Sequence, residues 1–267
     1  MIECKYDNLT LLQFESLASE AGLFHAVTVK PQNMAPHRGV GCEEAIRWRQ
    51  EICKIFNVSY DFLTAPSQVH GGDVLRIEDC DIGRGRDGRG SAVANVDGLL
   101  SDRPGVPLIH MSADCPLIFV YDRKRPAVGA VHASWRGTVA LAAEQLVRRM
   151  QAEFDSNPDD LLAAICPCAG SCCYEVGYDV QRIARTRLPD ADAFFITRDD
   201  RDDCSKDGRS RLYFDLWAAN RQQLINAGVR PDRIEVAGIC TICDSRFWSH
   251  RRDGEAAGRF ALWVGVR

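Results

Sequence analysis

The sequence predicts an α+β domain in which mixed β-sheets are layered with helices, and three observations lead there. Short apolar runs of strand length are separated by Pro, Gly and Asp. A few longer segments carry apolar residues at helical spacing. The strands come in groups with the helices set between them, unlike the strict strand–helix alternation of a parallel fold. No internal repeat stands out among the 267 residues, and no linker separates two complete patterns, so one domain spanning 1–267 is expected.

The elements follow in order. Glu43 to Phe56 places Ala45, Trp48, Ile52 and Ile55 on one helical face. Phe62 to Val69 reads as a strand, and Asp73 to Ile77 as a short one beyond the Gly71-Gly72 turn. Val106 to Met111, Leu117 to Tyr121 and Ala127 to His132 are apolar runs bounded by turn residues, which favours strands. A long helix follows, with Thr138 as its N-cap and Val139, Ala143, Leu146, Met150 and Phe154 along one face. Leu161 to Ile165 reads as a strand, and Asp215 caps a helix that stops at Gly228. Ile234 to Ile239 and Phe260 to Val266 complete the strands. The polar stretches Gly83 to Ser91 and Arg198 to Arg211 lack the apolar residues that would offset ordering entropy, and read as surface loops.

Composition narrows the function classes. Apolar residues make up 46% and charged residues 26%, an ordinary globular balance. A net charge of -4 gives no electrostatic reason to expect nucleic acid or a membrane surface as partner. No apolar run approaches the roughly 20 residues that span a bilayer, and the first residues show no signal-peptide pattern. The expectation is a cytoplasmic protein, monomeric or homodimeric. Twelve cysteines are many for such a protein. In a reducing compartment they are expected as buried thiols or ligands.

Three residues carry the chemistry: His70 in Gln68-Val69-His70-Gly71, Cys115 in Asp114-Cys115-Pro116, and His132 in His132-Ala133-Ser134-Trp135-Arg136-Gly137. Each stands where an extended segment stops, beside turn residues. Two imidazoles and one thiolate form a three-ligand set for zinc that leaves a fourth position for water or substrate. A lone histidine at a strand end is most often structural, and a lone cysteine most often a small buried hydrophobe; the shared turn context raises these three above that background. The remaining histidines are assigned no role. After His132 the chain enters a helix, whose first turn favours an anion. Arg136 adds a planar fork of donors suited to phosphate or carboxylate, unless it pairs with an acid such as Glu144. Cys115, His132 and Arg136 are therefore the candidate catalytic residues. A second, competing metal site pairs Cys166-x-Cys168 with the C-x-x-C of Cys240 and Cys243, although Cys-x-Cys is not the usual zinc-knuckle spacing.

These residues sit in a longer series of ordered motifs. It comprises QVHG at 68–71, DGLLSD at 97–102, ADCPL at 113–117, HASWRG at 132–137, CCYEVGYDV at 172–180, FDLWAANRQQL at 214–224, CT at 240–241 and FWSHRRDGEAAGR at 247–259. By this series the chain resembles the laccase-domain family, also labelled polyphenol oxidase-like or peptidoglycan-editing factor, whose members include purine nucleoside phosphorylases. The resemblance implies a single layered domain with mixed sheets and zinc ligands at His70, Cys115 and His132. It also implies purine nucleoside and phosphate as substrates, with phosphorolysis of adenosine, inosine, guanosine and methylthioadenosine, and hydrolytic deamination of adenosine. Two departures stand out. Where the family has a T-R-x-G-G turn, this chain has His25-Ala26-Val27-Thr28-Val29-Lys30, with Arg38-Gly39 as a partial substitute. Where the family has SYRR, this chain has Ser249-His250-Arg251-Arg252.

Three rival readings remain. A multicopper oxidase needs many imidazole ligands, and six histidines with no His-x-His pair do not supply a trinuclear centre. A single blue-copper site would draw on Met111 as axial ligand but lacks the close Cys–His–Met spacing, so copper is the less favoured metal. A metal-free hydrolase would use Cys115 as nucleophile and His132 as base, with N–H groups near Gly137 stabilising an oxyanion. A binding module that holds a nucleoside or a partner protein, without turnover, is the non-catalytic alternative.

Overall fold

Two sheets stacked face to face, each backed by helices, organise the chain. The computed structural model describes residues 1–7, 9–36, 42–198 and 210–267. The first sheet is five-stranded and antiparallel. It contains β1 (Ile2–Tyr6), β2 (Leu9–Gln13), β3 (Leu23–Thr28), β6 (Leu108–Ser112) and β14 (Phe260–Val266), in the order β1-β2-β3-β14-β6. The second, six-stranded sheet is mixed. It contains β4 (Val74–Arg76), β5 (Gly98–Ser101), β7 (Leu117–Asp122), β8 (Ala127–His132), β9 (Leu161–Ile165) and β13 (Ile234–Val236), in the order β13-β9-β7-β8-β5-β4. Its outer pairs, β13–β9 and β4–β5, are parallel and the inner pairs antiparallel. This is the mixed-sheet α+β class that the sequence predicts.

The strand pattern explains the layering. Strands β7 and β8 are buried along their whole length, so both faces must be covered. On one face Phe119, Tyr121, Val128 and Ala130 meet Leu12, Val27, Leu108 and Leu262 of the first sheet. On the other face Ile118, Val120 and Val131 meet Ala143, Leu146, Val147 and Met150 of α3 (Ala142–Phe154), with Leu224 of α5 (Leu216–Asn226). The outer face of the first sheet is covered by α1 (Cys42–Phe56) through Ile52, Cys53 and Phe56 against Phe24, Ile109 and Trp263. A small sheet of β10 (Glu175–Val176), β11 (Phe195–Arg198) and β12 (Arg211–Phe214) flanks a separate cluster with α4 (Tyr178–Ala184).

Four local expectations need correction. Phe62 to Val69 forms no strand: Pro66 has no N–H to donate and Gln68 adopts φ 52°, so only the bridges Thr64–Leu108 and Pro66–Val93 form. Thr138 is not an N-cap. Ser134 is, its Oγ accepting from Gly137 N, and it starts the short α2 (Trp135–Val139). Leu141, at φ 64°, then breaks the path before α3 begins, and Val139 packs in the cluster beside the small sheet. The strand from Ile234 stops at Val236 instead of Ile239. Strands β1 to β3 were not expected; Ile2 to Tyr6 alternates apolar and polar residues, but the fully buried Leu23 to Thr28 does not. The Arg38-Gly39 substitute and most of the Arg198–Arg211 stretch lie outside the described residues.

Two histidines other than the candidate metal ligands are buried in this framework. His25 accepts the Phe14 N–H through Nε2 at 2.9 Å, and burial pushes it down to about 4. His110 is fully buried, neither ring nitrogen has a partner among the described residues, and burial pushes it down to about 3. Unfolded, both rings take up protons near pH 6.5. Below that pH the unfolded chain therefore holds more protons, and folding stability declines as pH falls towards about 4. In urea denaturation across that window, His110→Leu should flatten the decline while leaving neutral-pH stability unchanged or about 1 kcal/mol higher. An unaltered slope in the variant would show that this ring does not titrate on unfolding.

Candidate metal centre and adjoining cavity

The ligand atoms of His70, Cys115 and His132 all lie within 4.8 Å of one another. The His70 and His132 rings meet edge to face with centroids 4.9 Å apart. Each residue reaches this point by a different local device.

His132 ends β8, where it pairs with Leu117 of β7, and its N–H donates to Asp97 O at 2.9 Å. Its Nδ1 stands 3.0 Å from Asp97 Oδ1. Asp97 is fully buried, yet donors from His132, Gly72 and Gly71 hold its carboxyl down at about 2 against the upward push of burial. A carboxylate ionised throughout the ordinary pH range can only accept, so His132 Nδ1 carries the proton and Nε2 faces the centre. Burial opposes a charge on His132, but Cys115 and Asp97 outweigh it and raise the imidazole to about 9.

His70 is set by the same carboxylate. The N–H of His70 donates to Asp97 Oδ1 at 2.9 Å, and those of Gly71 and Gly72 donate to Oδ2 at 2.7 and 3.1 Å. His70 itself adopts φ 68°, a conformation rare outside glycine, asparagine, aspartate and histidine. Gly72 adopts φ 103°, which favours glycine, and a Cβ there would sit tightly at 3.0 Å from Ala142 Cβ. Burial and the neighbouring His132 push the His70 imidazole below its usual value, which favours the neutral form that binds metals.

Cys115 follows β6 through Asp114, which has φ 96°. The Asp114 carboxylate accepts from Thr241 Oγ1 and from Arg251 N, both at 2.7 Å, and its carbonyl accepts from Ala169 N at 2.8 Å. Ser112 Oγ closes the turn on Cys115 O at 2.7 Å. The loop carrying the thiol is thus pinned from two later parts of the chain.

The three residues open onto a cavity of about 310 Å³, near the lower bound for small-molecule sites. Arg89, Arg259, Glu255 and His250 also line it. Arg136 does not. It is exposed on α2 with its guanidinium 4.2 Å over the Trp135 ring, and Glu144 pairs instead with Arg148. The structure therefore gathers the three predicted ligands and leaves Arg136 outside the cavity lining. Asp97, Asp114, Arg89 and Arg259 were missed as site residues; the acids at DGLLSD and ADCPL were visible only as parts of motifs. His250, noted only as a departure from the family pattern, faces the same cavity.

Residues 21–267 match the model of a family described as "Multi-copper polyphenol oxidoreductase laccase". A purine nucleoside phosphorylase of Bacteroides thetaiotaomicron is 31% identical, over 96% of each chain. The purine nucleoside phosphorylase YlmD of Geobacillus stearothermophilus is 33% identical, over 88% of this chain and 83% of its own. Among solved structures, YlmD from Geobacillus stearothermophilus superimposes with a TM-score of 0.85 at 31% identity, covering 96% of this chain and 98% of that one. The hypothetical protein YfiH of Bacillus licheniformis gives the same TM-score of 0.85 at 30% identity, over 96% of each chain.

Asp97→Asn keeps the shape but loses the charge and places an amide N–H against donors. Removing such an orienting carboxylate typically lowers metal affinity about 10–100-fold. A competition titration of the variant against a zinc chelator should show a loss in that range, with a lower urea midpoint. Wild-type affinity in Asp97→Asn would show that the carboxylate does not orient His132.

Proposed function

The chain belongs to the family described as multi-copper polyphenol oxidoreductase laccase, and we propose that it acts as a zinc-dependent purine nucleoside phosphorylase. One observation carries this reading: His70, Cys115 and His132 share a centre at the edge of a cavity that Arg89 and Arg259 also line. The names carried by its relatives support the substrate class.

The donor set fits zinc. Two imidazoles and a thiolate match the ligands of catalytic zinc sites. His132, raised to about 9, would give up its Nε2 proton on binding the ion, and the Asp97 contact keeps the remaining proton on Nδ1. When bound at these residues, zinc would supply a Lewis acid and lower the pKa of a water to about 7. Copper oxidase chemistry is less well served. Of the described histidines, only His70 and His132 lie within reach of one ion. The sulfur of Met111, the nearby axial candidate, lies 3.2 Å from Arg49 Nη2.

In the proposed reaction a phosphate oxygen attacks ribose C1′, the bond from C1′ to the purine nitrogen breaks, and the base leaves with the electron pair and takes up a proton. Arg89 and Arg259 supply positive charge along the cavity. Arg136 adds a guanidinium at the head of α2, outside the lining, where it attracts the incoming anion. Glu255 offers an acceptor for ribose hydroxyls. Asp97 and Asp114 hold the ligand-bearing turns so that substrate binding need not order them. Adenosine deamination is a second activity of the same cavity: water adds at purine C6, the bond to the exocyclic nitrogen breaks and that nitrogen leaves as ammonia with the proton from the water, giving inosine with its C1′ bond intact.

A panel of adenosine, inosine, guanosine and methylthioadenosine, assayed with and without phosphate for free base and ammonia, tests the assignment. Free base should appear only with phosphate, and ammonia only from adenosine. Cys115→Ala and His132→Ala should each abolish turnover and zinc retention at this site while leaving the fold intact. Arg136→Ala should raise the phosphate KM far more than the nucleoside KM. Equal turnover with and without phosphate, and no ammonia, would contradict the proposal. Full activity in metal-free protein would favour Cys115 as nucleophile with His132 as its base, a reading the elevated His132 also supports.

A further inference from the structure

Away from the cavity, a second group of metal-binding side chains converges. The sulfurs of Cys172, Cys173, Cys240 and Cys243 all lie within 4.8 Å of one another. Cys243 Sγ is 3.6 Å from Cys172 Sγ and 3.2 Å from Cys173 Sγ. In a tetrahedral zinc tetrathiolate with bonds of about 2.3 Å, neighbouring sulfurs stand about 3.8 Å apart. The observed spacing fits one ion and is too tight for a multi-iron cluster. The C-x-x-C of Cys240 and Cys243 was anticipated as half of a zinc site. Its partners are not Cys166 and Cys168, which are buried in the apolar core. They are Cys172 and Cys173, the adjacent pair that begins four residues after Cys168.

The surroundings are built for thiolates. Backbone N–H groups of Cys243, Gly170 and Ile242 are directed at the Cys240 sulfur, with Gly170 N at 3.2 Å. Such donors stabilise sulfur carrying negative charge. Two arginines hold the carbonyls of the ligand loops: Arg198 donates to Ser171 O and Cys172 O, each at 3.1 Å, and Arg252 donates to Thr241 O at 2.9 Å and Ile242 O at 3.1 Å. Four thiolates around a divalent ion leave a net charge of about −2, part of which the Arg198 guanidinium offsets, while Arg252 also pairs with Asp253.

We propose that Cys172, Cys173, Cys240 and Cys243 bind a structural zinc ion that fastens the 168–174 loop to the 237–249 loop. A bridge between Cys168 and Cys240 already joins these loops. From them Ala169 and Thr241 reach the Asp114 turn that presents Cys115. The ion therefore sits behind the cavity as a brace. All four ligand positions are taken by protein, as in closed structural sites.

Metal content and cobalt spectra of the full-length protein, purified under reducing conditions, test the assignment, with Cys115→Ala as the informative background. Cys115→Ala should retain about one zinc per chain. After exchange with Co2+ it should show the intense sulfur-to-cobalt charge-transfer absorption of a tetrathiolate. Adding Cys243→Ser should remove that zinc and that absorption, and lower the Tm. If the Cys115→Ala protein, reduced and supplied with Zn2+ or Co2+, retains no metal and shows no such band, the proposal is overturned. A disulfide between Cys243 and Cys172 or Cys173 that forms in preference to metal uptake would overturn it equally. Failure of the first site gives a different result, because Cys115→Ala and wild type would then hold the same amount of zinc.

Discussion

The buried carboxylate of Asp97 is the contact on which the site depends. It accepts from three successive backbone N–H groups, those of His70, Gly71 and Gly72, and stands 3.0 Å from the ring nitrogen of His132. An ionised carboxylate taken out of water costs several kcal/mol unless its lone pairs are satisfied. Here four donors satisfy it, and those donors belong to the two segments that must bring their imidazoles together. The backbone reinforces the arrangement: Asp97 N and Gly98 N both donate to Asp73 O, and His132 N donates to Asp97 O. One acid at the start of β5 thus fixes the turn before β4 and the end of β8.

Asp114 performs the matching task for the thiol. His70 and Asp114 occupy left-handed backbone conformations that cost roughly 1–3 kcal/mol each outside glycine. They persist because carboxylate contacts over-determine them. At His70 these come from Asp97. At Asp114 they come from its own side chain, held by Thr241 and Arg251. The strain lies within the ligand turns, while the sheets beneath are regular and densely packed. That division lets a rigid layered core present three residues distant in sequence at one cavity edge.

Much of this was legible in the sequence. The strands that carry the site, β6, β7 and β8, are short apolar runs between turn residues, and both the pattern and the ladder agree. The three candidate ligands were visible because each follows an apolar run and is flanked by turn residues, Gly71, Pro116 and Gly137. The orienting acids were not, since Asp97 has partners about 25 residues earlier and Asp114 has partners in the last fifth of the chain. No local pattern records a contact of that range. Strands β2 and β3 escaped notice because their burial follows from β14 pairing beside β3, a tertiary event, while β1 is a largely exposed edge strand held by β2. Phe62 to Val69 looked like a strand by composition, but a missing proline donor and a reversed φ at Gln68 deny it a ladder. Serine in place of Thr138 as helix cap follows from one tight turn after His132 that periodicity cannot detect. The cysteine partners were misassigned by a few residues because only the fold decides which thiols face one another.

The most direct test of the central claim is an anomalous-difference map recorded at the zinc absorption edge from crystals of the protein. The expected result is a peak at the cavity edge bonded to His70, Cys115 and His132, with nitrogens at about 2.0–2.1 Å, sulfur at about 2.3 Å and a fourth position turned towards the cavity. Protein crystallised with excess zinc that shows no peak there, or one touching fewer than these three side chains, would contradict the account.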